Sequence, residues 1–257
     1  MEIRVLRSTD SPERLVCQAA RGDYYDGYVA DTSYSELMES VDWDENNLEK
    51  VQEIKDYNHP RSEEYWEIEA ATHSFVNKQL SRGHFGPWEH PQITFSAKNI
   101  SRVTMAQITR HRHLTFDVQS QRYVDFSDTD AVVPKSLTDD EHFTRETGIV
   151  ELEDISQEEA AESYQEHANM ALDWYERMVE QGVPKEDARF ILPVGTPVNM
   201  TFSGNARTMM HLLDMRKKAN AQWEIRQLSE KLLAELKDWM PYTYSHYDNR
   251  GPNKLSP

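Results

Sequence analysis

Residues 156 to 181 carry their own boundaries. Ser156 and Glu159 form a capping-box pair, each side chain able to satisfy an amide left unpaired at a helix start, and Gly182 and Pro184 close the far end. A long helix is expected there, and it must find neighbours that cover its apolar stripe. A second is expected from Ser62 to about Leu80, where Trp66, Ala70, His73 and Val76 recur at helical spacing ahead of Gly83. A third runs from about Asn205 to Trp239, rich in Met, Leu, Ala, Lys and Glu. Strand signals come earlier: residues 1 to 8 alternate apolar and charged, "QITFSAKN" alternates Ile93, Phe95 and Ala97 with polar residues, and "QSQRYVDF" returns to a strand-like pattern. Between these, "GHFGPWEHP" reads as a loop, and Ser101 caps a short helix reaching about Arg112. Strands near the front and long helices behind imply an α+β fold. Residues 34 to 57 mix acidic and widely spaced apolar residues, as a surface helix or an irregular insertion would.

The chain has 45 acidic and 28 basic residues among 257, a formal net charge of −17. No general basic field exists to recruit nucleic acid or an anionic membrane, so any anion site must be local. Acidic residues are spread along the chain, as in "DWDENNLE" and "ELEDISQEEAAE", which fits a solvated acidic shell and adaptation to high salt. One stretch runs against this background. "RHRHLTFDVQSQRY" places Arg110, His111, Arg112 and His113 in a row, followed by Ser120 and Arg122. A single basic residue at a helix end complements the last carbonyls, but a cluster repels itself and calls for an anion. Ser120 and Arg122, two apart on a strand, would share one face and could grip a phosphate. Ion pairs with neighbouring carboxylates are the alternative.

The single Cys17 excludes an internal disulfide and a Cys-rich zinc site. It lies between Arg14 and Arg21, yet a lone cysteine is usually a small buried apolar residue, so no nucleophilic role is expected. His84, His90, His111 and His113 lack the spacing of a zinc motif, and guanidinium neighbours disfavour a dication; no metal site is expected. The start lacks the apolar core of a signal peptide and no stretch approaches eighteen apolar residues, so a soluble, cytoplasmic protein is expected.

Beside this reading stands a resemblance. "RHRHLTFDVQS" fits Arg-His-Arg, seven residues, Ser, the signature of the flavin-dependent thymidylate synthases. In order along the chain, "GHFGPWEH" resembles the family's Gly-His loop, Gln107 precedes Arg110 as in its Gln-x-x-Arg-His-Arg, and "ARFILP" and "NARTMMHLLDMR…AQWEI" match later segments. The matches run from about Ala19 to Ile225. The resemblance implies a single-domain subunit over 1–257, with a possible insertion at about 34–60 and a central mixed sheet flanked by long helices. It implies a cytoplasmic homotetramer, with active sites shared between subunits, that converts dUMP to dTMP. FAD would be the cofactor, with NADPH and methylenetetrahydrofolate as co-substrates. By this match Arg216 is catalytic, polarising the uracil. Gln107, Arg110, Ser120, Gln121, Arg122, Arg189 and Arg216 bind dUMP; His84, Arg110, His111, Arg112, Asn205, Arg207 and His211 bind FAD. On the expected long helix, Asn205, Met209, Leu212, Arg216, Asn220 and Trp223 fall on one stripe, with Arg207, His211, Asp214 and Lys218 opposite.

Three positions depart from the family pattern: Val118 where Glu or Gln is frequent, Gly86 where Thr or Ser is usual, and Asn220 in place of a frequent His. Two other functions fit parts of the pattern: a related flavoprotein that oxidises NADPH without methylating dUMP, and a non-catalytic nucleotide- or RNA-binding module that uses the basic run with Tyr123.

Overall fold

The structure, a computed structural model, describes residues 1–55, 61–126, 129–138, 143–144, 148–149 and 155–249. Strand β1 (Glu2–Ser8) is followed by helices α1 (Pro12–Gly22), α2 (Tyr34–Met38), α3 (Glu45–Ile54) and α4 (Glu63–Arg82). Then come β2 (Gln92–Ser101), α5 (Arg102–Ile108), β3 (Thr115–Val118), the short strands β4 (Phe143–Thr144) and β5 (Gly148–Ile149), α6 (Gln157–Glu180) and α7 (Lys185–Ala188). The chain continues through β6 (Pro197–Asn205), α8 (Ala206–Arg216), α9 (Trp223–Trp239) and α10 (Pro241–Asn249).

The main sheet has the order β1-β2-β6-β3, and β4 pairs with β5 as a separate antiparallel ribbon. Neighbouring strands of the main sheet run antiparallel. The amide just after β1, on Thr9, donates to Gln92 at the start of β2; Ala206, just after β6, donates to Pro91; and Gln119, just after β3, donates to Asn199 near the start of β6. The fold is α+β as expected, and the sheet expected as mixed is antiparallel because no neighbouring pair is joined by a parallel crossover. Alternation holds on the central strands: Ile93, Phe95 and Ala97 on β2 and Val198, Met200 and Phe202 on β6 are buried.

The chain divides into two compact units. One comprises Met1–Arg4, Ser96–Phe202 and Ala219–Leu228; the other comprises Val5–Phe95, Ser203–Lys218 and Ser229–Pro257. In the first, buried apolar residues include Ile108, Leu114, Phe126, Leu172 and Phe202. In the second, Val16, Val76, Leu80, Trp88, Met209 and Leu213 are buried, and the Trp88 indole donates to Thr243 at 3.1 Å.

Both expected helix starts form. Ser62 accepts from the Tyr65 amide before α4, which ends on Gly83 at φ 73°, where a side chain would strain the left-handed turn. Ser156 and Glu159 make the reciprocal capping box of α6. Residues 34 to 55 are two helices whose Leu37, Met38 and Val51 are buried, so this segment contributes core; 56–60 lie outside the described residues. The helix expected from Asn205 to Trp239 is two helices, with 217–222 between them. The second start is made by the Gln222 side chain, which accepts from the Glu224 and Ile225 amides at 3.1 Å each. Glutamine is not among the usual capping residues, so spacing alone reads straight through the break.

Candidate active site

In the first unit, α5 delivers the basic run. The helix ends at Ile108, and the Thr109 amide donates to Met105. The His111 amide then donates to Ile108 and the Leu114 amide to His111, at 3.0 Å each, folding 110–114 into a tight turn. Buried Ile108 and Leu114 anchor that turn, leaving Arg110, Arg112 and His113 exposed and Gln107 and His111 half-buried. The expected helix end at Arg112 is thus four residues too far. Among the described residues, neither Arg110 nor Arg112 makes an ion pair.

Asn199, on the inner strand β6, bonds to both neighbouring segments where β3 ends. Its carbonyl accepts from the Gln119 amide at 2.9 Å, its own amide donates to Gln119 Oε1 at 3.0 Å, and its Oδ1 accepts from the Asn99 amide at 3.1 Å. The ladder stops there. Ser120 begins a turn in which its carbonyl accepts from Tyr123 and Val124 and its Oγ accepts from the Arg122 amide at 3.3 Å. The strand expected over Ser120 and Arg122 is therefore absent, and the two residues are related by a turn instead of a shared strand face. Gln121 is buried, and its Nε2 has no hydrogen-bond partner among the described residues. A buried amide donor left open in this way suits an acceptor oxygen.

Arg122 and Arg189 meet through Glu186. The Arg122 Nε donates to the Glu186 carboxylate at 2.9 Å, while the Arg189 Nε donates to the Glu186 carbonyl at 3.0 Å. Arg102, at the start of α5, is held below the usual guanidinium range by burial and by the nearby Arg189 charge. Glu186 escaped the sequence reading because 64 residues separate it from Arg122 and no local spacing marks it.

The second unit carries the other expected residues. His84 follows the Gly83 turn, with Nδ1 3.0 Å from Gln79 Oε1 at the end of α4. Buried Pro87 and Trp88 anchor its loop and leave Glu89 exposed, where it pairs with Arg207. The Ala206 amide donates to Pro91, so the start of α8 is tied to the same loop twice. Asn205 caps α8 by accepting from the Thr208 amide at 2.8 Å, which commits its oxygen and leaves its amide nitrogen for other partners. His211 is exposed one turn beyond Arg207, and Arg216 is half-buried in the last turn after buried Met209 and Leu212. The stripe does not continue, since Asn220 lies beyond the helix end and Trp223 opens α9. Asp214, expected on a polar face, is buried and accepts from Tyr247. Glu89 belongs to the "GHFGPWEH" match, but its pairing with Arg207, 118 residues away, had no local signal.

Cys17, in the same unit, is fully buried, and burial pushes its thiol up to about 12. A thiolate is scarce at neutral pH in that setting. No group of three metal-ligating side chains occurs among the described residues, nor does any helix among them reach the length and apolarity needed to cross a membrane. Among the described residues, the first unit offers guanidinium groups without ion pairs and a buried amide donor, and the second a capped helix start, features that suit anionic, oxygen-rich ligands.

Residues 4–242 match the family described as Thymidylate synthase complementing protein. The chain belongs to the flavin-dependent thymidylate synthase family. It is 40% identical over 269 residues to the flavin-dependent thymidylate synthase of Haloarcula marismortui, with all of both chains covered. A relative of the same description from Halobacterium salinarum is also 40% identical, over 271 residues, again with full coverage. Among solved structures, a UMP/dUMP methylase, PolB from Streptomyces cacaoi bound with 5-Br dUMP, has the same fold, with a TM-score of 0.73 and 20% identity over 98% of this chain and 97% of that one.

Against the flavin-dependent thymidylate synthase pattern, the three departures acquire a structural setting. A side chain at Gly86 would meet nothing within 4 Å, so packing does not demand glycine there. Val118 ends β3, and the adjacent Gln119 oxygen is already engaged by Asn199. Asn220 is exposed between α8 and α9.

Proposed function

We propose that the protein forms dTMP from dUMP, with methylenetetrahydrofolate as carbon donor and FAD, reduced by NADPH, as cofactor. The observation that carries this reading is the end-to-end match to the Haloarcula marismortui flavin-dependent thymidylate synthase. Bound reduced flavin supplies hydride. What remains is the work of this chain's side chains. Arg216 acts on the pyrimidine: a guanidinium against a ring carbonyl stabilises negative charge and leaves C5 electron-rich, without a covalent thiol adduct. The buried Cys17 supports a thiol-free route.

Gln107, Arg110, Ser120, Gln121, Arg122 and Arg189 hold dUMP. Its dianionic phosphate displaces Glu186 from Arg122; their ion pair is exposed, and such pairs contribute about 0–1 kcal/mol. A charge-assisted bond to phosphate is stronger. His84, Arg110, His111, Arg112, Asn205, Arg207 and His211 hold FAD, with Arg207 kept near the Gly-His loop by Glu89.

The whole chain, 1–257, is one catalytic subunit of a cytoplasmic homotetramer with sites shared between copies. Tyr123 and Phe190, which directly follow Arg122 and Arg189, are 77% and 86% exposed, and apolar surface beside binding residues supports coverage by another subunit. The net charge of −17 and the full-length similarity to relatives from Haloarcula and Halobacterium support adaptation to high salt. The test is to incubate flavin-loaded protein with NADPH, dUMP and methylenetetrahydrofolate and to assay dTMP. Stoichiometric dTMP is expected; NADPH consumption without dTMP would make the protein an oxidase.

A further inference from the structure

We propose that Glu224 is a positioning residue for the basic turn: by holding Ser101 it sets the start of α5, and with it the placement of Gln107, Arg110, His111 and Arg112. The proposal rests on the thymidylate-forming reading for what those residues bind. All the groups involved lie in the first unit.

Helix α5 is seven residues long, too short to hold its own direction, so its axis depends on how its ends are fixed. Its start follows directly on β2, whose last residue Ser101 is gripped by a carboxylate. The Ser101 amide donates to Glu224 Oε1 at 2.7 Å, and the Ser101 hydroxyl donates to Glu224 Oε2. A serine hydroxyl has one proton, so giving it to Glu224 turns an oxygen lone pair toward the helix. That lone pair accepts from the Thr104 amide at 3.1 Å, which is the cap. Ser101 and Glu224 are each 2% exposed, so no water competes for these bonds. The next amide, on Arg102, donates to Thr196 at 3.2 Å.

Glu224 is held in turn. It lies 123 residues from Ser101, in the first turn of α9, and its own amide donates to Gln222. At 1.5 Å per residue, Gln107 lies about 9 Å along the axis from Ser101, so a tilt of about 10° moves it by about 1.5 Å. Displacements of that size in a binding group can change rates on the order of a hundredfold.

The experiment compares Glu224→Ala, Glu224→Gln and Ser156→Ala in flavin-loaded protein. It reads flavin and dUMP affinity by titration and the KM and kcat for dTMP formation. Glu224→Ala is expected to raise the dUMP KM and the flavin dissociation constant about tenfold or more. Glu224→Gln should recover most of this loss, because its oxygen can accept from the Ser101 amide while its nitrogen donates to Ser101 Oγ. Ser156→Ala weakens a helix cap in the same unit and should leave both affinities at parent values despite a lower melting temperature. Affinities of Glu224→Ala equal to the parent's, or shifts no larger than those of Ser156→Ala, overturn the proposal. Should Glu224→Ala fail to fold, Ser101→Ala carries the comparison: it is expected to weaken both affinities, and parent-like values there overturn the proposal equally. A parent that binds both ligands but makes no dTMP overturns the functional reading alone.

Discussion

Arg216 and Cys17 occupy opposite chemical situations. The guanidinium is half-buried at the end of α8, while the thiol is wholly buried and pushed up to about 12. Replacing Arg216 with Ala should leave flavin absorbance in place and lower dTMP formation by about a hundredfold or more, since the pyrimidine loses its counter-charge; turnover near the parent's would contradict the assigned role. Arg122 makes a subtler case. Arg122→Ala should raise the dUMP KM by about tenfold or more, on a charge-assisted bond worth about 1.5–3 kcal/mol. Glu186→Gln should instead lower it, by about fivefold at most, because the exposed pair it removes contributes no more than about 1 kcal/mol. Equal dUMP titrations for the Glu186 variant and the parent would remove Glu186 as a competitor. Arg189, Arg207 and Arg216 were marked only by the resemblance, while the run from Arg110 to Arg122 was legible from local clustering in an acidic chain. Their acidic partners were not, because Glu186 and Glu89 meet Arg122 and Arg207 only through the fold.

Helix boundaries set by local chemistry were legible. The α6 capping box and the Gly83 stop of α4 rest on local chemistry, and both are present. Ser156→Ala should reduce stability by about 1 kcal/mol, read by thermal or denaturant unfolding, with turnover unchanged; no loss of stability would mean the box contributes nothing in place. Legibility failed where a tertiary bond ends an element. The strand expected over "QSQRYVDF" does not form: β3 ends just before it at Val118, Gln119 spends its side chain on the Asn199 amide, and Ser120 then draws the chain into a turn. The apolar periodicity after Asn205 continues into α9, but Gln222 starts a new helix there. In both places a glutamine side chain takes a backbone role that residue preferences do not anticipate.

For the molecule as a whole, charge sets the dependence on conditions. Burial pushes the Glu13 carboxyl up to about 8, against hydrogen bonds from Thr243 and the pull of Lys55. Nearby, burial also opposes ionisation of Glu69, but Lys55, Tyr242 and Arg14 outweigh it and hold that carboxyl below the usual range. Glu13 therefore keeps its proton in the folded state well above the pH at which the unfolded chain releases it. Its contribution is complete below about pH 4.5 and is lost as pH rises toward 8. Glu13→Gln should flatten that alkaline decline in denaturant unfolding measured at pH 6 and pH 9; an unchanged decline would assign it elsewhere. With 45 acidic residues against 28 basic, stability should also fall as salt is lowered from about 1 M to 0.1 M, where the screening length grows from about 3 to 10 Å; equal melting temperatures would remove the salt reading. The central claim is that guanidinium groups beside a reduced flavin, and no thiol, make the pyrimidine reactive. Its most direct measurement is dTMP formed by anaerobically reduced Cys17→Ala protein given dUMP and methylenetetrahydrofolate: yield equal to the parent's is predicted, and loss of dTMP from a folded, flavin-bound variant would contradict it.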